Sequence, residues 1–464
     1  MRVHLLALRP VLARAPKPRP RRLVTLAIET SCDDTSVAIL EAKTSPRTAA
    51  AVAQLHFHDK VTSNNAAFNG VHPLAALESH QENLAMLVCE AIKHLPDRRA
   101  KPDFVSVTRG PGMRSNLFTG LDTAKGLAAA WNASHALTPR LVAALDAFEH
   151  HAHEWKDLPE RIGGHITAAP HFPFLSVLAS GGHTLLVHTA TLTSHEVLGS
   201  TSDVAIGEFL DKAARVVLPP EMLRSGNGTM YGALLEEFAF PSDRNARRPR
   251  NARSECKTAK DFCKKYESHY AYTVPRNQEE ELKRNVSRWG WAFNQPLARA
   301  SGGLKNKNLE MSFSGLMTAV ERAVGYQHHQ STGKLTKIER SPSGISLEER
   351  RDMAESSMRA AFEHIAARVV TALKSTPATT VVMAGGVGAN IYLRYILASM
   401  LCKHGFGHLI VVFPPTALCS DNAAMIAWTG IEMYQSGYTD KLSIRAVRKW
   451  PLDQLLSPPV NKTT

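Results

Sequence analysis

The sequence predicts an α/β protein of two related lobes facing each other across a cleft. Three observations lead to that expectation. Residues 23–40 read as two strands around the polar turn Glu29-Thr30-Ser31-Cys32-Asp33-Asp34-Thr35, and the same plan returns at 174–188 around Ser180-Gly181-Gly182-His183. Helical periodicity separates the strand units. Leu74, Leu77, Leu84, Leu87 and Val88 form a stripe within 73–95, and helical stretches recur at 116–130 and 348–375. A further strand, Thr380-Val381-Val382-Met383-Ala384, runs into the turn Gly385-Gly386-Val387-Gly388-Ala389-Asn390 and then a helix from Tyr392.

Composition bounds what such a protein does. A chain of 464 residues can bury a large core and more than one lobe. Its 44% hydrophobic and 21% charged content is ordinary for a globular protein, and no apolar run reaches the roughly 20 residues of a membrane-spanning helix. The formal charge of +13 is not ordinary and favours a polyanionic partner, nucleic acid first. Seven cations and no acid fall within residues 1–22, the pattern of a mitochondrial presequence. Without them the chain is still basic. Six cysteines are scattered without zinc-type pairing, as expected of thiols in a reducing compartment. The expected division is a presequence 1–22, a first α/β lobe 23–165, a second α/β lobe 166–440 and a tail 441–464. Within the second lobe, 241–310 reads as a basic insertion, with Tyr266, Tyr270, Tyr272, Trp289 and Trp291 as candidates for stacking on RNA bases.

The turns carry the candidate chemistry. The first is crowded with hydroxyls and carboxylates, so a phosphate there needs an accompanying cation. In the second, Gly181 and Gly182 let a ligand approach the main chain, whose consecutive amides can form an anion nest. The third puts amides at a helix start, suited to a nucleotide, without the spacing of a dinucleotide fingerprint. Asp211, one helical turn beyond Gly207, can accept from a ribose hydroxyl. Asp421, between Phe413-Pro414-Pro415 and an apolar helix, reads first as an N-cap and otherwise as a metal ligand.

Taken in order with Ser79-His80-Gln81-Glu82-Asn83-Leu84, Thr108-Arg109-Gly110-Pro111-Gly112-Met113-Arg114-Ser115-Asn116 and Gly120-Leu121-Asp122-Thr123-Ala124-Lys125-Gly126-Leu127, these elements resemble the tRNA N6-adenosine threonylcarbamoyltransferase family, its mitochondrial branch in particular. The resemblance implies an actin/hexokinase/heat-shock ATPase-like (ASKHA) fold with a basic insertion. It implies transfer of threonylcarbamoyl from threonylcarbamoyl-adenylate to adenosine 37 of mitochondrial tRNAs that read ANN codons, by a matrix homodimer without a membrane partner. Carried over by position, Leu178, Ala179, Ser180, Gly181, Gly182, Asp211, Gly232 and Asn390 would hold the adenylate. His135 and Asp421 would bind one divalent cation per subunit, of iron or zinc type.

Two departures stand out. Met317 follows Ser312-Phe313-Ser314-Gly315-Leu316 where the family has Lys. His135, with its Ala-Leu-Thr-Pro-Arg-Leu tail, resembles the second residue of a His-x-x-x-His pair, and the segment with the first is absent after Trp131. His150, His151 and His153 follow, but their flanks do not match the motif. Two protein ligands hold a transition metal poorly. The alternatives are therefore a catalytically impaired nucleotide- or tRNA-binding homologue and a small-molecule kinase of the same superfamily. No covalent nucleophile is expected.

Overall fold

The structure, a computed structural model, describes residues 22–44, 51–65, 71–131, 172–191, 194–225, 231–241, 257–297, 309–329, 333–414, 419–435 and 437–450. Apart from Arg22, the expected presequence lies outside the described residues.

Strands β1 (Arg22–Glu29), β2 (Asp34–Thr44) and β3 (Ala51–Thr62) form an antiparallel meander, and β4 (Phe104–Val107) joins β1 in parallel. Side chains alternate between the two faces of this sheet. Val24, Leu26, Ile28, Val37 and Ile39 point to α1 (Pro73–Ile92) and α2 (Arg114–Trp131). On α1 the buried residues are Ala76, His80, Leu84, Leu87, Val88 and Ala91. Leu74, expected in the stripe, falls off that repeat and is 63% exposed.

The second sheet repeats the plan. Strands β5 (Phe174–Ala179), β6 (Thr184–Thr191) and β7 (Ser194–Ser200) form another antiparallel meander. After a separate hairpin of β8 (Tyr326–His328) and β9 (Leu335–Glu339), strand β10 (Thr380–Ala384) lies parallel to β5, as β4 does to β1. Strand β11 (Ile410–Val412) extends the edge. Around this sheet pack α3 (Ile206–Val217), α4 (Pro220–Ser225), α5 (Tyr231–Ala239), α6 (Ala259–Tyr266), α7 (Gln278–Asn285), α8 (Ser314–Gly325), the long α9 (Leu347–Leu373) and α10 (Ile391–Lys403).

The last helix, α11 (Ala423–Gln435), covers the other face of the first sheet. Its Ala423, Ala424 and Ala427 meet Ala27, Ala38 and Ala42, small against small, so helix and strands approach closely. Tyr434 stacks on Phe104 at 4.4 Å. Beyond it, Val447 N donates to Arg109 O at 2.9 Å and Gly112 N to Arg448 O at 3.1 Å, while the Arg109 guanidinium sits over the Trp450 ring. Helix α11, expected in the second lobe, and Ile444 and Ala446, expected in the tail, pack with the first sheet. Among the described residues no helix is long and apolar enough to cross a membrane.

The basic insertion differs from its expectation. Tyr266, Tyr270, Tyr272 and Trp291 are all buried, joining the second core around Tyr392 and Tyr395, so they do not present rings to RNA. Their apolar area outweighs the charged residues between them, which composition alone had weighted the other way. Trp289 is half-buried, stacked on Trp291, with the Arg288 guanidinium 4.3 Å above its ring. Lys257, Lys260 and Lys264 are exposed, and Arg244, Arg247, Arg248, Arg250 and Arg253 lie outside the described residues. The segment is fastened through Glu363 of α9, which accepts from both Arg284 Nη2 and Tyr272 Oη. Glu363→Ala strands the Arg284 charge and should lower stability by about 3 kcal/mol. Hydrogen exchange across 259–285 should then rise ahead of exchange in the first sheet.

Candidate functional site

Because β5 and β10 are parallel neighbours, their carboxyl ends open onto one edge, with Leu178 opposite Ala384. Both glycine turns therefore lie side by side, at the place where open α/β sheets bind ligands. Ser180 closes the first: its N donates to His183 O at 2.9 Å and its Oγ accepts from His183 N at 3.1 Å. Gly385 opens the second in the left-handed region (φ 93°), and a Cβ there would stand 2.4 Å from Ala179 O. Only glycine lets the turns touch. Helix α3 starts against them, with Gly207 N donating to Ser180 O at 3.2 Å, and a Cβ on Gly207 would lie 2.6 Å from Gly181 Cα. In contrast, the space beside Gly181, Gly182 and Gly386 is open to at least 4 Å from a built Cβ. The edge thus gathers main-chain amides, a helix N-terminus and free volume, a setting for an anionic group.

One turn along α3, Asp211 accepts from the backbone N–H groups of Tyr231 and Gly232 at the start of α5. Burial pushes its carboxyl up to about 6, against the opposing pull of Arg215 and those two amides. Asp211 and Gly232 therefore meet in space as well as in the resemblance. Asn390 is the N-cap of α10, its Oδ1 accepting from Leu393 N at 2.9 Å, and its side chain is buried under the turn. Buried Glu236 of α5 takes the next donor, Tyr392 N, at 3.1 Å, together with the Tyr270 hydroxyl. That carboxylate locks α5, which holds Gly232 in its first turn, to the helix capped by Asn390.

The first polar turn is mostly scaffold. Glu29 accepts from Ser31 N and the Thr108 hydroxyl, and Thr30 Oγ1 donates to Asn116 O at 2.8 Å. His80 bridges Cys32 O at 3.0 Å and Thr35 Oγ1 at 2.7 Å. A carbonyl only accepts, so Nε2 carries the proton and Nδ1 accepts from Thr35. Burial lowers the His80 pKa and keeps it neutral. Asp34 is held by Lys60 Nζ at 2.9 Å and by Thr62 Oγ1. Asp33 keeps partial exposure, its pKa raised by burial and by Asp34 beside it. The hydroxyls of Thr35 and Thr30 hold the turn to α1 and α2.

Asp421 is not the N-cap of α11. Asn422 fills that role, its Oδ1 accepting from Met425 N at 3.0 Å. Lys60 Nζ reaches Ser420 Oγ at 2.7 Å, which ties the Asp421 turn to the first polar turn. His135, His150, His151 and His153 lie outside the described residues. Among the described residues no three His, Cys, Asp or Glu side chains converge as a metal requires, and Asp421 there is one carboxylate where a transition metal takes about four donors. The described donors alone do not fit such a centre.

Three contributors were not singled out from the sequence. Asp203 accepts from the hydroxyls of Ser312 and Ser314 and from the Phe313 and Val204 amides. Its burial opposes ionisation, yet those bonds bring the carboxyl down to about 2. An Asp four residues before a glycine and a Ser-Phe-Ser run far along the chain gives no sequence signal of that contact. Lys60 gave none either. Arg394 did, as a lone guanidinium in the apolar run from Tyr392 to Leu401.

A family model described as tRNA N6-adenosine threonylcarbamoyltransferase (TsaD) matches residues 56–243 and 259–428. The chain belongs to this family. It is accordingly a transferase that forms threonylcarbamoyladenosine in tRNA, and its two repeated α/β sheets are those of an ASKHA fold. The mitochondrial tRNA N6-adenosine threonylcarbamoyltransferase of Schizosaccharomyces pombe is 31% identical over 458 residues, spanning 94% of this chain and 88% of that protein. The tRNA N6-adenosine threonylcarbamoyltransferase of Paracoccus denitrificans is 30% identical over 445 residues, spanning 94% and 96%. Among solved structures, HypF of T. kodakarensis covers 91% of this chain and 49% of its own at 12% identity, with a TM-score of 0.38. The TsaD match skips 244–258, the stretch with Arg244 to Arg253, and resumes at α6, where the buried aromatics begin.

The raised Asp211 carboxyl has a measurable consequence. Between its ordinary range near 3.8 and about 6, the folded protein holds a proton that the unfolded chain releases. That contribution is fully present below the lower value and is lost as pH rises through the upper one. In denaturant titrations of this transferase and Asp211→Asn, wild type should gain stability relative to the variant as pH falls from about 6 to about 4. A difference that stays constant across this window would contradict the assignment.

Proposed function

We propose that this transferase moves the threonylcarbamoyl group of threonylcarbamoyl-adenylate onto the exocyclic amine of adenosine 37 in mitochondrial tRNAs reading ANN codons, and that it works in the matrix as a homodimer. The observation that carries the reading is the abutment of the two glycine turns across β5 and β10, with open volume beside Gly181, Gly182 and Gly386. In this reading, Leu178, Ala179, Ser180, Gly181 and Gly182 hold the adenylate, with the glycine-turn amides on its phosphate, Asp211 accepts from ribose and the Asn390 turn closes the far side. The basic charge of the chain favours tRNA as acceptor, and the mitochondrial relative in Schizosaccharomyces pombe favours the compartment.

The amine of adenosine is a weak nucleophile, so the rate depends on holding it against the carbamoyl carbon. As the amine nitrogen bonds to that carbon, the bond from carbon to the phosphate oxygen breaks. AMP leaves with the electron pair, and the nitrogen gives up a proton to solvent. Amides aimed at the phosphate stabilise the charge that builds on the departing oxygen. No enzyme nucleophile is needed. His135 and Asp421 are proposed to contribute to the binding of one divalent cation of iron or zinc type.

The test supplies purified protein with threonylcarbamoyl-adenylate and an unmodified tRNA transcript. Wild type should modify the RNA. Gly386→Val, which adds a side chain into open space at an ordinary backbone conformation, should fold normally and lose about a hundredfold in rate. Unimpaired transfer by that variant would remove the glycine-turn grip from the reading. Asp421→Ala should keep the fold, lower the content of bound metal and abolish modification; full activity would free Asp421 of any role.

A further inference from the structure

Arg394 lies one turn into α10, four residues beyond Asn390, with Tyr392, Leu393, Tyr395, Ile396 and Leu397 buried around it. It is itself only 7% exposed. A guanidinium at that depth needs its donors satisfied, and a Met of similar length would fill the volume without the cost of desolvating a charge. Its partners explain why it is there. Nε donates to Gly388 O at 2.6 Å, and Nη2 donates to Pro414 O at 2.9 Å and to Cys419 Sγ at 3.7 Å. The charge sits 5.0 Å over the Phe413 ring. Gly388 belongs to the glycine turn after β10, whereas Pro414 and Cys419 flank the stretch between β11 and Asp421.

We infer that Arg394 is a positioning residue for the transfer, setting the Gly385–Ala389 turn against the segment that delivers Asp421. One planar fork reaches two segments that share no backbone hydrogen bond ladder beyond β10 and β11. Lysine cannot replace it, because an ammonium is a point charge that neither spans two divergent carbonyls nor lies flat on a ring. The role follows from that geometry: with Gly388 O held, the amides of the turn keep a fixed direction toward the ligand edge. The inference rests on the reading of this turn as part of the nucleotide site.

The experiment uses the full chain, with AMP as binding probe and threonylcarbamoyl-adenylate plus an unmodified tRNA transcript for kinetics. Arg394→Lys should melt cooperatively, bind AMP about tenfold more weakly and lose about a hundredfold in kcat, with KM for tRNA within about twofold of wild type. A residue that only supports the fold would lower the melting temperature and leave the kcat of the folded fraction unchanged, which would overturn the inference. Should the lysine variant not fold, Phe413→Leu withdraws the ring beneath the guanidinium and keeps the fork. It should show the same split at about tenfold in kcat, and unchanged kinetics there would overturn the inference. A wild type that does not retain AMP overturns the nucleotide reading and this inference with it. A wild type that retains AMP beside an unaffected variant overturns this inference alone.

Discussion

Where β10 lies parallel to β5, two chain reversals far apart in sequence are forced onto one sheet edge, and the remaining features of the site are fitted around that contact. The turns and the helix beside them can lie this close only where a glycine faces the neighbouring main chain, which is why Gly385 meets the Ala179 carbonyl and Gly207 of α3 meets Gly181. Helix α3 begins against the first turn, its Gly207 N donating to Ser180 O, and α10 begins at the end of the second, capped by Asn390. Asn390 ends the second turn and caps α10, while Asp211 of α3 accepts from the Tyr231 and Gly232 amides at the start of α5.

Carboxylates near helix starts recur through the second lobe, and surroundings give them different characters. Asp203 collects the hydroxyls of Thr201, Ser312 and Ser314 and the amides of Val204, Phe313 and Ser314, which hold its carboxyl down at about 2. Asp211 receives two amides and nearby Arg215, yet burial dominates and its carboxyl titrates close to neutrality. Glu236 and Glu363 are buried and spent on tying segments together. One residue type thus serves as a cap, as a tunable acceptor and as a rivet, and the number of donors set against the depth of burial decides which.

Much of this was legible beforehand because the local patterns are strong. The apolar runs either side of a polar turn in 23–40 and 174–188, and the glycine turn between strand and helix at 385–390, carry their own conformational reasons, so both lobes could be read from short segments. What escaped was set by distant contacts. The tyrosines of 266–272 have the same spacing whether they face water or a core, and only packing decides it, Tyr266 against Phe262 and Tyr270 and Tyr272 against Tyr392 and Tyr395. Asp421 and Asn422 are equally good caps on paper, and the backbone direction into α11 chose the second. The family resemblance supplied the candidate ligand residues, while the contacts by which the buried Arg394 joins two segments are visible only in three dimensions.

Helix α11 closes a face of the first sheet although that sheet's strands come from the opposite end of the sequence. While the polypeptide emerges from the ribosome, Ala27, Ala38, Leu40 and Phe104 stay without their cover until residue 423 and its successors arrive. The earliest part made is the last to be finished. A chain interrupted anywhere before that helix would leave a greasy sheet face for chaperones to hold, so completion of the second lobe acts as a timer on maturation of the first.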